Sequence, residues 1–63
     1  MTLGERISGF RRRQGLSQEA LAEKLGVPRQ SVSKWERNES LPETDKLPLL
    51  AQALGISLDL LLN

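Results

Sequence analysis

Apolar residues recur along this chain at intervals of three and four positions, and turn-forming residues separate the segments that carry them. Glycine, proline or asparagine marks the breaks at Gly15, 26–28, 38–42 and Gly55. This spacing is typical of amphipathic helices with one buried face. No segment shows the alternation of apolar and polar residues that indicates a strand. The pattern therefore predicts an all-α domain in which five helices are joined by short turns.

Capping and turn residues set the expected helix boundaries. Ser17 is the expected N-cap of the second helix, and Gly26 is expected to end it because glycine readily adopts a left-handed conformation. Pro28 is expected at the first position of the third helix and Pro48 in the first turn of the fourth, since proline is tolerated at a helix start. A short last helix is expected over 58–62.

Positions on the inner faces of these helices are expected to form the core. They are Leu3, Ile7, Phe10, Leu21, Ala22, Leu25, Val32, Trp35, Leu47, Leu50, Ala51 and Leu54. Trp35 shares a face with Val32, so we interpret its indole as a core group rather than as a platform for base stacking. Arg11 lies at the margin of the apolar stripe on the first helix, which predicts that its side chain leans towards the core.

The composition excludes most kinds of catalytic or metal site. The chain has 63 residues and contains neither cysteine nor histidine, so it lacks thiol nucleophiles and the thiolate and imidazole ligands of zinc sites. No nucleophile motif surrounds Ser31 or Ser33, and no glycine loop of the phosphate-binding kind is present. A domain of this size has no room for a catalytic cleft between two lobes. We therefore expect no enzyme activity, metal, cofactor or small-molecule ligand.

The sequence carries neither a secretion signal nor a membrane-spanning segment. Its first residues lack the order of basic, apolar and small residues that a signal peptide has. No apolar run approaches the roughly eighteen residues that a membrane helix needs. These features predict a cytoplasmic protein without a membrane partner.

The charges are distributed unevenly although the formal net charge is only +1. Segment 5–13 sums to +3 from four arginines and one glutamate, and segment 29–37 sums to +2 from three basic residues and one glutamate. The rest of the chain is negative, so positive charge is concentrated in the first and third helices. One side of the domain can therefore face a polyanion such as nucleic acid while the other does not.

Residues 18–37 have the layout of two short helices that cross at a steep angle. The turn centred on Gly26 is too short to let the helices lie antiparallel, and Ala22 supplies the small residue needed where they touch. In this arrangement the third helix projects outward with one polar face free. A helix of that diameter fits the major groove of DNA.

Residues 17–38 have the sequence S-Q-E-A-L-A-E-K-L-G-V-P-R-Q-S-V-S-K-W-E-R-N. This segment resembles the helix-turn-helix core of the lambda-repressor and Cro family, also called xenobiotic-response-element-like. The likeness extends from L-G-E-R-I in the first helix to A-L-G-I-S-L-D-L-L in the last. It implies a five-helix DNA-binding domain over 1–63, with its helix-turn-helix core at 17–37. It also implies a homodimer on a roughly two-fold symmetric operator in double-stranded DNA.

By position, the resemblance implies a set of residues that face base edges in the major groove. They are Gln18, Arg29, Gln30, Ser33 and Lys34. Arginine and lysine donate to O6 and N7 of guanine, and glutamine pairs with adenine through two hydrogen bonds. Each residue alone would be interpreted as an ordinary solvated side chain, but their coincidence on one face favours binding. We expect Arg29 and Gln30 to contribute most to specificity.

The resemblance also implies residues that contact phosphates without reading the sequence. They are Ser17, Ser31, Arg37 and Asn38. Asn38 stands where the family most often has glycine, and asparagine also enters the left-handed region. The loop that follows carries three acidic residues, which predicts few phosphate contacts there and modest non-specific affinity. Arg11 and Glu36 match a pair of family positions that form an ion pair between the first and third helices, which we interpret as structural.

The last helix is too short to bury all the leucines of residues 58–62 in one small core. Exposed apolar clusters mark partner surfaces, and in the resembling family this region joins the two subunits. We therefore expect Leu58 and Leu61, together with Leu62, to contribute to a two-fold dimer contact. The alternative is that they only cap the core. The abrupt end of the chain at Asn63 further favours the interpretation that it is the N-terminal part of a longer regulator.

Three classes of function are compatible with these features. The leading hypothesis is a transcriptional regulator that binds specific DNA sequences, acting as a repressor that blocks a promoter. The alternative is a protein-interaction module, such as an antitoxin or a coactivator, that uses the apolar last helix. The cationic and amide face of the third helix favours the regulator, because a pure interaction module does not need it. An enzyme is the third class, and the composition disfavours it.

Overall fold

The first helix begins at a capping box, a Thr-x-x-Glu motif that the apolar pattern does not reveal. The computed structural model describes residues 1–63. The Thr2 hydroxyl accepts a hydrogen bond from the backbone N–H of Glu5, and the Glu5 carboxylate accepts one from the backbone N–H of Thr2. These bonds satisfy donors that have no partner within the helix. The bond from the Thr2 backbone is the main cause of a lowered pKa at Glu5.

Five α-helices and one short 3₁₀ turn make up the regular structure, and no strand is present. They are α1 (Leu3–Arg13), α2 (Gln18–Leu25), α3 (Arg29–Glu36), the 3₁₀ turn (Thr44–Lys46), α4 (Leu47–Leu54) and α5 (Leu58–Leu62). The prediction of an all-α domain with five helices is confirmed. None of these helices combines the length and the apolar character that crossing a membrane requires.

Most helix boundaries lie where the capping residues predicted them. The Ser17 hydroxyl accepts a hydrogen bond from the backbone N–H of Ala20 at 3.0 Å. Gly26 ends α2 with a φ of 70°, in the left-handed region that glycine enters without strain. Pro28 is extended and precedes α3, so this helix begins one residue later than expected. Pro48 lies in the first turn of α4 as expected.

Side chains from all five helices form one hydrophobic core. Its buried members are Ile7, Leu21, Ala22, Leu25, Val32, Trp35, Leu50, Ala51, Leu54 and Leu61. Leu3, Phe10 and Leu47 were also expected in the core, but they are only partly buried at its edge. Trp35 is 5% exposed, which confirms that its indole is a core group.

Only one leucine of α5 faces inward. Leu61 has no exposed surface, whereas the exposed fractions of its neighbours are 39% for Leu58, 49% for Leu60 and 46% for Leu62. The prediction that Leu61 contributes to a dimer contact is therefore wrong. A partner subunit cannot reach this side chain, because α5 packs its inner face against α1 and α4. Leu58 and Leu62 remain accessible.

The start of α1 lies so close to the end of α3 that the contact requires glycine. A Cβ atom on Gly4 would lie 2.5 Å from the carbonyl oxygen of Trp35 and 2.7 Å from that of Glu36. Gly4 is itself buried. The close approach holds α1 against α3 and thereby helps to fix the orientation of α3 in the domain.

Candidate nucleic-acid interface

One side of α3 is polar while the opposite side is anchored in the core. With about 100° of rotation per residue, four residues predicted to read bases fall within an arc of about 140°. We call these residues the polar face of α3; they are Arg29, Gln30, Ser33 and Lys34. Ser33 is half-buried and the other three are exposed. Val32 and Trp35 lie on the other side of the helix and are buried, so the core holds α3 with its polar face outward.

The basic residues of the polar face have no counter-charge within the protein. The chain forms two ion pairs, and neither involves Arg29 or Lys34. The first turn of α3 contains no acidic residue, so the positive end of the helix dipole adds to the charge of Arg29. The polar face therefore presents uncompensated positive charge beside an amide and a hydroxyl group.

A network of hydrogen bonds behind this face joins α1, α2 and α3. Glu36 Oε2 accepts a hydrogen bond from Arg11 Nε at 2.7 Å, and Glu36 Oε1 accepts one from Arg11 Nη2 at 3.1 Å. Gln18 Nε2 donates to the same Oε1 at 3.0 Å. Arg11 Nη1 also donates to the carbonyl oxygen of Leu16 at 2.8 Å, which holds the turn between α1 and α2. The ion pair predicted between Arg11 and Glu36 is thus present, and Gln18 joins it.

The network keeps Glu36 ionised although the side chain is nearly buried. The side chains of Arg11 and Glu36 are 11% and 7% exposed. Burial is the largest single influence on the pKa of Glu36 and acts to raise it. Hydrogen bonds from Arg11 and Gln18, with the charges of Arg11 and Arg12, together outweigh burial and lower the pKa of Glu36. The carboxylate therefore accepts all three hydrogen bonds at neutral pH.

Three further residues are predicted to contact DNA, and two of them, Gln18 and Ser17, also stabilise the fold. Gln18 is half-buried and is bonded to Glu36. The exposed Ser17 caps α2. Ser31 is half-buried on the side of α3 next to Trp35. The contacts of Gln18 and Ser17 within the protein hold these two residues at fixed points of the scaffold.

Arg37 follows α3 and lies at the surface. Its Nη2 donates to Glu39 Oε1 at 3.0 Å, and both side chains are mostly exposed. Such an exposed pair contributes little stability. The acidic residues expected in the following loop, Glu39, Glu43 and Asp45, are exposed.

Asn38, which was predicted to contact a phosphate, also links two helices. It adopts a φ of 60°, as expected for a residue in the position of a glycine. Its Oδ1 accepts a hydrogen bond from the backbone N–H of Gly4 at 3.1 Å, and its Nδ2 donates to the Thr2 hydroxyl at 3.0 Å. Its backbone N–H donates to the carbonyl oxygen of Trp35. These bonds join α3 to the start of α1, and because Asn38 is exposed, its contact with a phosphate stays a prediction.

Thr2 and Gly4, which join the start of α1 to the end of α3, are residues whose role the sequence did not reveal. The Thr-x-x-Glu spacing at residues 2–5 was the available signal for the cap. A glycine within an otherwise good helix was the signal for a close approach. Neither signal indicates that Thr2 and Gly4 contact the turn after α3.

A family model described as helix-turn-helix matches residues 7–61. The chain belongs to the helix-turn-helix family. The match includes α2, α3 and the turn between them, and it extends into α5.

Relatives of this helix-turn-helix chain include phage and bacterial regulators. It is 40% identical over 61 residues to Repressor protein C2 of Salmonella phage P22, which covers 97% of the chain and 28% of the relative. It is 37% identical over 63 residues to the transcriptional regulator ImmR of Bacillus subtilis strain 168, which covers 100% of the chain and 50% of the relative. The chain thus spans half or less of the length of these two relatives.

A solved structure supports the same relationship. The crystal structure of the P22 c2 repressor in complex with a synthetic operator matches with a TM-score of 0.94 and 38% identity. The match covers 100% of this chain and 96% of that chain. The resemblance to the lambda-repressor type that the sequence indicated is therefore confirmed.

Proposed function

We propose that this chain binds double-stranded DNA with sequence specificity and serves as the DNA-binding part of a transcriptional repressor. The observation that carries the proposal is the polar face of α3, which is cationic, unpaired and held outward by Val32 and Trp35. The operator complex of the related P22 repressor supports it. The proposal involves no catalytic step.

The polar face contains the donors and acceptors that base edges require. With α3 in the major groove, Arg29 donates to O6 and N7 of guanine, and Gln30 both donates to and accepts from adenine. Each such pair contributes about 1–3 kcal/mol of discrimination between bases. Ser33 and Lys34 lie further along the helix and extend the contact to neighbouring base pairs.

Groups around the polar face hold the DNA backbone. The contacts to phosphate oxygens come from hydroxyl, cationic and amide groups. They belong to Ser17, Ser31, Arg37 and Asn38. The acidic loop after α3 keeps other phosphates away. Since each neutralised phosphate contributes about 0.9 to the slope of log affinity against log salt, we expect a shallow salt dependence.

Two copies of the chain are proposed to occupy one operator with two-fold symmetry. The exposed Leu58 and Leu62 contribute the contact between them, because apolar side chains on a short surface helix gain from mutual burial. The dimer places two α3 helices on one side of the duplex, where the bound protein blocks a promoter. We propose that the protein acts in the cytoplasm of a bacterial cell, which can be one that carries a phage.

Selection of duplexes from a random pool tests the proposal. We expect enrichment of inverted repeats whose half-site centres lie about one helical turn apart. Arg29→Ala and Gln30→Ala should each relax particular positions of the enriched site. Failure of the native chain to enrich any duplex at low salt would refute the proposed function. If the two variants instead lose affinity equally for all sequences, Arg29 and Gln30 contact phosphates rather than bases.

The exposed leucines of α5 also favour a second candidate, a module that binds another protein. Sedimentation of the native chain and of Leu58→Lys, with and without the selected duplex, separates the candidates. A repressor dimer should form on DNA and should be weakened by the lysine. A chain that remains monomeric on its duplex at high concentration would exclude the dimer contact.

A further inference from the structure

The side chain of Asn38, just beyond the end of α3, is bonded to the start of α1. Its Oδ1 accepts a hydrogen bond from the backbone N–H of Gly4 at 3.1 Å, and its Nδ2 donates to the hydroxyl oxygen of Thr2 at 3.0 Å. Gly4 lies in the first turn of α1, where backbone N–H groups have no partner within the helix. Asn38 thus acts as a second cap of α1. We call these two hydrogen bonds the Asn38 link.

The two ends of α3 are held in different ways. At its start, the short turn of residues 26–28 connects α3 directly to α2, and Val27 in this turn packs against the core. At its end, α3 is followed by residues 37–43, which contain neither helix nor strand. The position of the last turn therefore depends on contacts with distant parts of the chain. These contacts are the burial of Trp35, the hydrogen bonds of Glu36 and the Asn38 link.

A small change in the angle of α3 has its largest effect at the last turn. A helix of 8 residues is about 12 Å long, so a tilt of about 5° at its first turn moves its last turn by about 1 Å. Hydrogen bonds to base edges tolerate a spread of only about 0.5 Å in the distance between donor and acceptor. Arg29 is the first residue of α3, whereas Ser33 and Lys34 lie towards its end. The angle of α3 therefore affects the base contacts of Ser33 and Lys34 more than that of Arg29.

We propose that Asn38 is a positioning residue, which fixes the angle of α3 in the major groove through the Asn38 link and so increases base selectivity at the end of the helix. This inference rests on the DNA-binding function proposed above. The bond to Thr2 leaves one N–H of Nδ2 unused, so the same side chain can also contact a phosphate. The two roles differ in their effect on binding. A phosphate contact strengthens binding to every sequence, whereas a positioning role changes the preference at particular base pairs.

Two substitutions weaken the Asn38 link from opposite sides. Asn38→Gly removes the side chain, and glycine adopts the φ of 60° at this position without strain. Thr2→Val removes the hydroxyl at nearly constant shape and leaves Asn38 in place. Thr2→Ser is the matched control, because it retains a hydroxyl that both accepts from Asn38 and caps α1. Circular dichroism checks that each variant is folded.

Competition binding with single-position variants of the selected duplex measures the base preference at each position. Ser33→Ala and Lys34→Ala identify the positions read by the end of α3, and Arg29→Ala identifies the position read by its start. Asn38→Gly and Thr2→Val should each lower the preference at the positions read by the end of α3 by about two- to tenfold, which is part of the discrimination that one base contact supplies. Both should preserve the preference at the Arg29 position. Thr2→Ser should keep all the native preferences.

Several outcomes would overturn the inference. One is an Asn38→Gly protein that loses affinity equally for all duplexes, since the loss of a phosphate contact alone predicts that result. Others are a folded Thr2→Val protein with native preferences, or a Thr2→Ser protein that relaxes the same positions as Thr2→Val. If Thr2→Val does not fold, the result for Asn38→Gly decides alone. A native chain that selects no duplex refutes the proposed function, whereas a selective native chain whose preferences survive Asn38→Gly refutes this inference alone.

Discussion

Replacing Gly4 by alanine should destabilise the domain, although alanine is the better helix former. The added Cβ would lie 2.5 Å and 2.7 Å from the carbonyl oxygens of Trp35 and Glu36, and 2.8 Å from Asn38 Oδ1. Two of these atoms belong to the backbone at the end of α3 and cannot rotate away. The start of α1 must therefore move outward, which stretches the 3.1 Å hydrogen bond between Gly4 and Asn38.

The free energy of unfolding should fall by about 1–3 kcal/mol. An extra methyl group in a filled site costs about 1–3 kcal/mol, and a weakened hydrogen bond costs about 0.5–1.5 kcal/mol. The higher helix propensity of alanine returns at most about 1 kcal/mol. In a domain of this size, each kcal/mol corresponds to a change in Tm of about 4–8 °C.

Gly9→Ala is the matched control, because Gly9 lies in the same helix and its added Cβ would have no neighbour within 4 Å. It should stabilise the domain by about 0.5–1 kcal/mol. Urea unfolding followed by the fluorescence of Trp35, the single tryptophan, measures both variants. Equal stabilisation by the two alanines would refute the close approach of α1 to α3.

Further predictions concern acid stability, the core and the DNA backbone. Because folding lowers the pKa of Glu36 below its ordinary 4.5, its stabilising effect is complete above that pH and is lost as the pH falls through the lower value. Urea titrations below about pH 4.5 should therefore show a steeper loss for the native chain than for Glu36→Gln, and parallel curves would contradict this. Leu61→Ala should lower the free energy of unfolding by about 2–5 kcal/mol, and Leu62→Ala should lower it by less than about 0.5 kcal/mol, as measured by thermal unfolding. Similar losses for the two variants would contradict the burial of Leu61 beside an exposed Leu62. Arg37→Ala should reduce the salt slope of DNA binding by about 0.9, and a changed sequence preference would argue against a phosphate contact.

The apolar spacing was sufficient to locate the helices and most of the core. Val32 and Trp35 recur at the helical interval, and the face they share is buried as predicted. Gly26 and Gly55 end α2 and α4 in the left-handed region, because a residue without a Cβ is favoured there whatever surrounds it. The buried face of a helix and its end depend on residues within one or two turns, so the local sequence is sufficient to predict them.

The same reasoning from the sequence predicted only part of the candidate site. The polar face of α3 follows from helical periodicity once the buried face is known. The hydrogen bond from Gln18 to Glu36 does not, since it joins the start of α2 to the end of α3 across the crossing of the two helices. The resemblance to a family suggested the ion pair of Arg11 and Glu36, but not that Gln18 shares its carboxylate.

By itself, the sequence determined that this chain forms five amphipathic helices and that the third has a cationic face. Tertiary structure alone decided which leucine of α5 is buried, because Leu61 and Leu62 differ only in how α5 meets α1 and α4. It also made Asn38 a link to Thr2 and Gly4. These contacts join residues far apart in the chain, and their partners become defined only when the helices pack.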